Sequence, residues 1–464
     1  MANEGASKQN QEQKSTEIGI REPPRGLKER LKNIGPGIVV SGCIIGSGEL
    51  IVTTTMGARH GFIFLWAVIL SCLIKYPIQI ELGRYCMTNH FTTIQALNQV
   101  PGPKWRNTSW IVYLFFFAVI LLISALSGIL ASVGGIMGVN FSILSTNQWH
   151  FVVFIVCALI LWWGFYNVIE NLVTALVASF SFVVLVSAFL VQGTPYATNL
   201  AEIASGFRFE IPAGGGAIAL GLMGSTGATA FEMFFYPYWI LEKGYSTYAG
   251  KRPPEGQDRE EWHRRMSGWI EVMRADVLIC TILATILTIA YYIMGASILH
   301  RLEVLPAGLD VVKDISGIFT ATYGRWAYWF FMFGGFCTLF STLVVFGSSW
   351  GRMWTDLMDS MGFKFWKDDK GRFNWVRGWQ TLFLISCLAF AWGIPKPVKM
   401  IIFGASINGL MLPFFALSMV ILARRVDAPL RFNWLSNLAL SISTIAAVLY
   451  IYANIKNLIE KLAG

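Results

Sequence analysis

The sequence predicts an all-α, polytopic membrane protein. Three observations lead there. Of the 464 residues, 55% are hydrophobic and only 14% charged, where a soluble globular chain carries about 25% charged residues. The mean hydropathy is +0.55. Apolar runs of about 20 residues, the length that crosses a hydrocarbon core, recur along the chain. The sequence lacks the segments of about ten alternating residues that mark a membrane β-barrel.

Residues 1–34 are polar and basic, closing on "KSTEIGIREPPRGLKERLKNI", and read as a cytoplasmic tail. They hold no short apolar stretch with a small-residue cleavage site, so no signal peptide is expected. Eleven spans follow, near 36–57, 61–84, 108–137, 149–165, 168–192, 215–241, 270–299, 324–358, 376–393, 397–423 and 432–454. With a cytoplasmic N-terminus, the inner segments hold most of the 36 Lys and Arg residues. The positive-inside rule therefore sets that orientation, and eleven spans carry the C-terminus outside. The expected location is the cell's inner (plasma) membrane. The net charge of +9 belongs to loops and points to the lipid bilayer, not to nucleic acid. Two inner loops, 242–276 and 359–379, read as solvated segments with amphipathic pieces on the anionic leaflet; a regulatory or partner site is the alternative. The cysteines (Cys43, Cys72, Cys86, Cys157, Cys280, Cys337 and Cys387) are scattered and mostly apolar in setting. They read as small core residues, not as disulfides or zinc ligands.

An odd number of spans in each half inverts one half relative to the other. Splitting the first ten spans five and five gives repeats at about 35–193 and 214–424, with the eleventh helix in 425–464 outside them. The first span of each half is unusual. One reads "GCIIGSGELI", the other "GGGAIALGLMGSTGATAFEMFFYPYW". Each has a Gly/Ser/Thr cluster near mid-depth followed by a carboxylate, Glu49 or Glu232. Unwound backbone at membrane depth is tolerated only where protein or a cavity surrounds it. Matched interruptions in two halves point to a transporter's central site. Small residues also let helices pack closely, which is the reading preferred for "SALSGILASVGGIMG" in the third span.

The stretches "IGPG" (34–37), "FLWAVILSCLIKYPIQIELGRYCMTN" (64–89), "GATAFEMFF" (227–235), "GGFCTLFSTLVVFGSSWGRMWTDLM" (334–358) and "LMLPFFALSMVIL" (410–422), in this order, resemble the Nramp family of divalent-metal transporters. The resemblance covers about residues 30–455. It implies the LeuT-type fold, with helices 1 and 6 unwound at the centre and alternating access around them. Where that family has Asp-Pro-Gly-Asn on helix 1, this chain has Gly46-Ser47-Gly48-Glu49. Where it has Met-Pro-His on helix 6, this chain has Phe231-Glu232-Met233. The resemblance thus places a glycine at the metal-binding aspartate, a phenylalanine at the soft methionine ligand and a methionine at the proton-linked histidine.

The candidate substrate site is Gly46, Ser47, Gly48, Glu49, Gly227, Thr229, Phe231, Glu232, Met233 and Asn408, with Glu49 and Glu232 as the metal ligands. Ser41, Ser225 and Thr226 are further neutral oxygens. An all-oxygen set of two carboxylates suits a hard cation such as Mg²⁺, Mn²⁺ or Ca²⁺. Glu49 could instead pair with Lys75. Glu81 and Arg84 read as an interfacial pair. Asn167, Glu170 and Asn171 open the fifth span, as an inner vestibule or a capped helix start. None of the five histidines lies mid-span, and the third span has no charge, so the expectation is uncoupled transport or coupling through the glutamates alone. No ATP-binding loop, Ser/His/Asp cluster or HExxH spacing marks a pump or an enzyme. No cofactor is expected; the divalent cation is substrate. The competing readings keep the fold: a symporter of a small organic solute or an anion, or a non-transporting receptor.

Overall fold

The first span is two helices, not one. Pro36–Ile44 (α1) stops at the glycine cluster; a π-helical turn, Gly48–Thr53, then leads into Thr54–His60 (α2). The axis bends by 42° between the two pieces. The structure, a computed structural model, describes residues 19–463 apart from 47, 164–165, 212–221, 223–225, 255, 305–315, 317–318, 321 and 395–396. Ser47, Ser225 and the Gly214–Gly216 cluster therefore lie outside the described residues.

The other helices follow the apolar segments. They are Leu65–Asn89 (α3), Trp110–Asn140 (α4), Thr146–Trp162 (α5), Tyr166–Leu190 (α6), Ala230–Lys243 (α7), Gln257–Met294 (α8), Arg325–Ser360 (α9), Asp369–Gly393 (α10), Pro397–Ala423 (α11) and Trp434–Ala463 (α12). Among the described residues, six helices are long and apolar enough to cross a membrane, seven if α1 and α2 form one bent span. The fold is the expected LeuT type, and its packing shows the inverted repeat. The most extensive contacts are α4 with α11 and α9 with α6. In span numbers these are 3 with 10 and 8 with 5, and adding five to a span number exchanges one pair for the other. The extensive α3–α8 contact, spans 2 and 7, maps onto itself. At the centre, α1 packs against α6, α7, α8 and α9.

Two of the loops differ from expectation. The segment 242–276 is mostly helical: Tyr245–Ala249 forms one turn, and α8 begins at Gln257 rather than near 270. Trp262, Met266, Trp269, Ile270 and Met273 are all buried. They recur at helical spacing, so this stretch is the apolar stripe of a packed helix, not a piece lying on the leaflet. In 359–379, Asp368 accepts the Gly371 N–H (2.8 Å) and starts α10 ten residues into the loop. The Glu81–Arg84 pair forms as expected and is covered by protein. Both residues are about 1% exposed, because α12 and the turn before it pack over that end of α3. Arg84 also donates to the Leu430 carbonyl (2.8 Å).

Candidate functional site

The first break is held by its own carboxylate. Past Ile44 the chain cannot continue the α pattern through Gly46 and Gly48, residues that cost roughly 1 kcal/mol each in a helix. The Gly46 N–H donates to Glu49 Oε2 (3.2 Å). Side-chain hydroxyls add to the π-helical turn: Thr53 Oγ1 donates to the Gly48 carbonyl (3.3 Å) and Thr54 Oγ1 to that of Glu49 (3.4 Å). A Cβ on residue 46 would lie 2.2 Å from Thr342 Oγ1 on α9. Only glycine fits there unless the Thr342 side chain on α9 moves.

The matching segment, Thr226–Thr229, is non-helical and runs directly into α7; of the residues expected to precede it in the span, 212–221 and 223–225 lie outside the described residues. Gly227 has φ of +67°, a left-handed conformation that glycine adopts without strain. The peptide joining Thr226 to Gly227 has a partner at each end. Its carbonyl accepts Lys75 Nζ and Ser71 Oγ, and its N–H donates to Glu49 Oε1 (3.0 Å). Glu49 thus ties the break in the first span to the turn before α7, through one oxygen each. Lys75 does not pair with Glu49 as the sequence allowed; one peptide group stands between them.

Glu232 has a local task as well. Thr229 and Glu232 form a capping box at the start of α7. Glu232 Oε2 accepts the Thr229 N–H (2.6 Å) and contacts the Thr229 hydroxyl, which also lies 2.8 Å from Asn408 Oδ1 on α11. The Thr-x-x-Glu signature "TAFE" was available in the sequence and accounts for this carboxylate structurally. No described hydrogen bond uses the other oxygen, Oε1.

Both carboxylates line one buried cavity of about 60 Å³, with Gly48, Thr229 and Asn408 and, from beyond the predicted set, Cys43, Thr342 and the apolar side chains of α4, α9 and α11. That is several times the ~10–15 Å³ one water needs, so an ion with part of its hydration shell fits. Gly46 and Gly227 contribute N–H groups to Glu49 rather than cavity wall. Ser41 is buried away from the cavity. Phe231 and Met233 are fully buried but do not line it; Phe231 packs edge-on against Phe115 of α4 at 5.6 Å. Among the described residues no three His, Cys, Asp or Glu side chains gather as a metal-ligand group. An ion held here would therefore combine the two carboxylates with neutral oxygens.

Below the cavity lies a layer of polar ties. Asp276 of α8 accepts the Gly35 N–H (3.1 Å) and Gly37 N–H (2.7 Å) at the start of α1, and the Tyr236 hydroxyl (2.9 Å). Lys243 bonds Glu170 (2.6 Å), joining α7 to α6, and Arg352 forks onto Glu242 (2.5 and 2.9 Å), joining α9 to α7. Glu170 is thus an ion-pair partner, not a cap. Asp276 escaped the sequence reading because it sits at the polar edge of an apolar run.

A bent first span and a non-helical turn before α7, each followed by a carboxylate at one shared cavity, are the arrangement expected of a LeuT-type membrane transporter. Comparisons with solved structures agree on the fold. The chain is similar to a manganese transporter of Eremococcus coleocola, solved with an aromatic bis-isothiourea substituted compound, at 17% identity and a TM-score of 0.64 over 92% of this chain and 87% of that one. It is also similar to Mhp1, a nucleobase-cation-symport-1 family transporter, at 13% identity and 0.57 over 90% and 92%. No curated protein matches the chain. The Nramp family model, natural resistance-associated macrophage protein-like, matches residues 37–460. The chain belongs to the Nramp family.

Proposed function

We propose that the protein is a secondary transporter that moves a divalent metal cation, of the Mg²⁺ or Mn²⁺ type, by alternating access at the cavity between Glu49 and Glu232. The observation that carries this reading is the pair of carboxylates, Glu49 and Glu232, lining one cavity, with no hydrogen bond to Glu232 Oε1 among the described residues. Ionisable groups at membrane depth are costly and by default mark a pathway. Hard oxygen donors favour hard cations. Family membership supports the substrate class, and the relative solved with this fold is described as a manganese transporter.

The same geometry argues against an anion as substrate. Broken helices offer N–H groups to anions, but here Glu49 occupies those of Gly46 and Gly227, and Glu232 that of Thr229. In this reading the repeats span 35–193 and 214–424, with 425–464 outside them. The N-terminus is cytoplasmic, and the ties at Asp276, Glu170 and Glu242 form the inner gate. Transport in this reading is either uncoupled or coupled through Glu49 and Glu232 alone.

The test is uptake of Mn²⁺, Mg²⁺, Ca²⁺ and Cd²⁺ into proteoliposomes, beside Glu49→Gln and Glu232→Gln. Saturable uptake of the hard ions, lost in both variants, supports the reading. Folded protein with no divalent uptake overturns it.

A further inference from the structure

A second cavity, of about 330 Å³, lies where the inner ends of α3 and α11 meet the start of α12. Arg84, Arg424, Arg431, Asn437 and Ser441 supply its polar wall, and no carboxylate lines it. The nearby acids are engaged elsewhere. Glu81 is bound to Arg84. Asp427, the one acid in the connection from α11 to α12, is taken by Arg252, Arg259 and His263. Arg431 is held in place by the carbonyls of Val426 (2.8 Å) and Arg424 (3.0 Å), which orient its guanidinium without neutralising it. The Arg424 guanidinium is exposed and has no hydrogen-bond or ion-pair partner among the described residues. Two uncompensated guanidinium groups therefore face one open cavity.

We propose that this cavity is a binding site for a phosphate-bearing anion, and that the headgroup of an anionic phospholipid of the inner leaflet supplies it. Guanidinium forks match phosphate oxygens in pairs, and basic pockets between the cytoplasmic ends of membrane helices suit anionic headgroups. The surroundings favour a lipid over a free anion. An adjoining cavity of about 190 Å³ shares Leu440 and runs between α3 and α12, walled by Pro77, Ile80, Leu435 and Ala439 together with Glu81 and Arg274, which are ion-paired to Arg84 and Glu271 respectively. Its mostly apolar wall offers a bed for an acyl chain beside the cationic pocket. Phe432 lies at its edge, within reach of the Arg84 (4.3 Å) and Arg274 (4.8 Å) guanidinium groups. Trp434, 70% exposed, stands at the start of α12, as aromatic side chains do at the headgroup level. The site is remote from the ion cavity, and its occupancy does not depend on which ion crosses there.

The test uses purified full-length protein, with retention read by native mass spectrometry and affinity by titration in detergent. The probes are phosphatidylglycerol, phosphatidylcholine, glycerol 3-phosphate and inorganic phosphate. The expected result is one phosphatidylglycerol retained per chain, with affinity about thirty-fold weaker in the Arg424→Gln/Arg431→Gln double variant. Arg425→Gln, whose guanidinium donates instead to the Gln99 carbonyl, should bind as the parent does. Arg424→Gln alone removes no described tie within the protein and should weaken binding about five-fold, which keeps the test valid if the double variant misfolds. Equal retention by the parent and the folded variants, or equal retention of phosphatidylcholine, overturns the proposal. Saturable binding of glycerol 3-phosphate or inorganic phosphate without lipid retention supports the anion site and overturns the lipid source.

Discussion

Glu49 and Glu232 occupy matching places, after the break in the first span and after the turn before α7, yet they are built differently. Glu49 spends one oxygen on its own helix, at Gly46, and the other on the opposite helix, at Gly227. It is a brace between repeats. Glu232 turns one oxygen back onto the start of its own helix and leaves the other without a described hydrogen bond. The lesson is that a carboxylate at a break can be structural and functional at once, and that the two roles can be divided between its oxygens. Approximate two-fold symmetry of position does not carry over to symmetry of task.

Neutralising each carboxylate separates those tasks and should have the largest effect. Glu49→Gln and Glu232→Gln are both expected to weaken divalent-ion binding roughly 100-fold or more. Their stabilities should part. A glutamine at 232 can still accept the Thr229 N–H, so its melting temperature should stay close to the parent's. A glutamine at 49 can accept only one of its two N–H groups and sets its own NH₂ against the other, a cost of about 1–3 kcal/mol. Equal melting temperatures for the two variants would break the comparison.

Restoring an acid at the family's position comes next. Gly46→Asp should destabilise by about 1–3 kcal/mol through overpacking, since its Cβ meets the Thr342 hydroxyl. Adding Thr342→Ala should recover much of that loss in a denaturation series. If Gly46→Asp is tolerated alone, the close approach of α9 is not what excludes a side chain there. Lys75→Met should keep the fold, because Ser71 still serves the Thr226 carbonyl. Proton movement during uptake, measured with a pH dye outside the vesicles, should not change in this variant; its loss would assign the proton to Lys75.

The smallest effect belongs to a carboxylate outside the membrane. Burial works against charge on Asp427, yet hydrogen bonds from His263 and Arg259 and the charge of Arg252 hold its carboxyl below the usual range. Its contribution is therefore complete above about pH 4 and is lost as pH falls through the lowered value. Asp427→Asn should cost about 0.2–1 kcal/mol and leave ion transport unchanged. A transport defect there would mean that the inner loops reach the central site.

The helical segments were legible because hydropathy and small-residue clusters are local signals, and so were Glu49 and Glu232. The inner half of α8 was misread as loop: "REEWHRRMSGWIEVMR" is charged on average, and only its stripe of Trp262, Met266, Trp269 and Met273 marks burial. Phe231 and Met233 were placed by alignment to a motif. Whether a side chain on α7 points to the cavity or to α4 depends on the helix's rotation about its axis, which packing against Phe115 sets.

By itself the sequence determined the membrane class, the break in the first span and the two carboxylates, since each depends on composition within a few residues. Tertiary structure decided the partners. It put Thr342 against Gly46, a single peptide between Lys75 and Glu49, Asn408 and Cys43 in the cavity wall, and three arginines from separate stretches around one pocket. These contacts join residues from distant helices. The rotation and depth of each helix fix them, and those are set by the packing of the whole bundle.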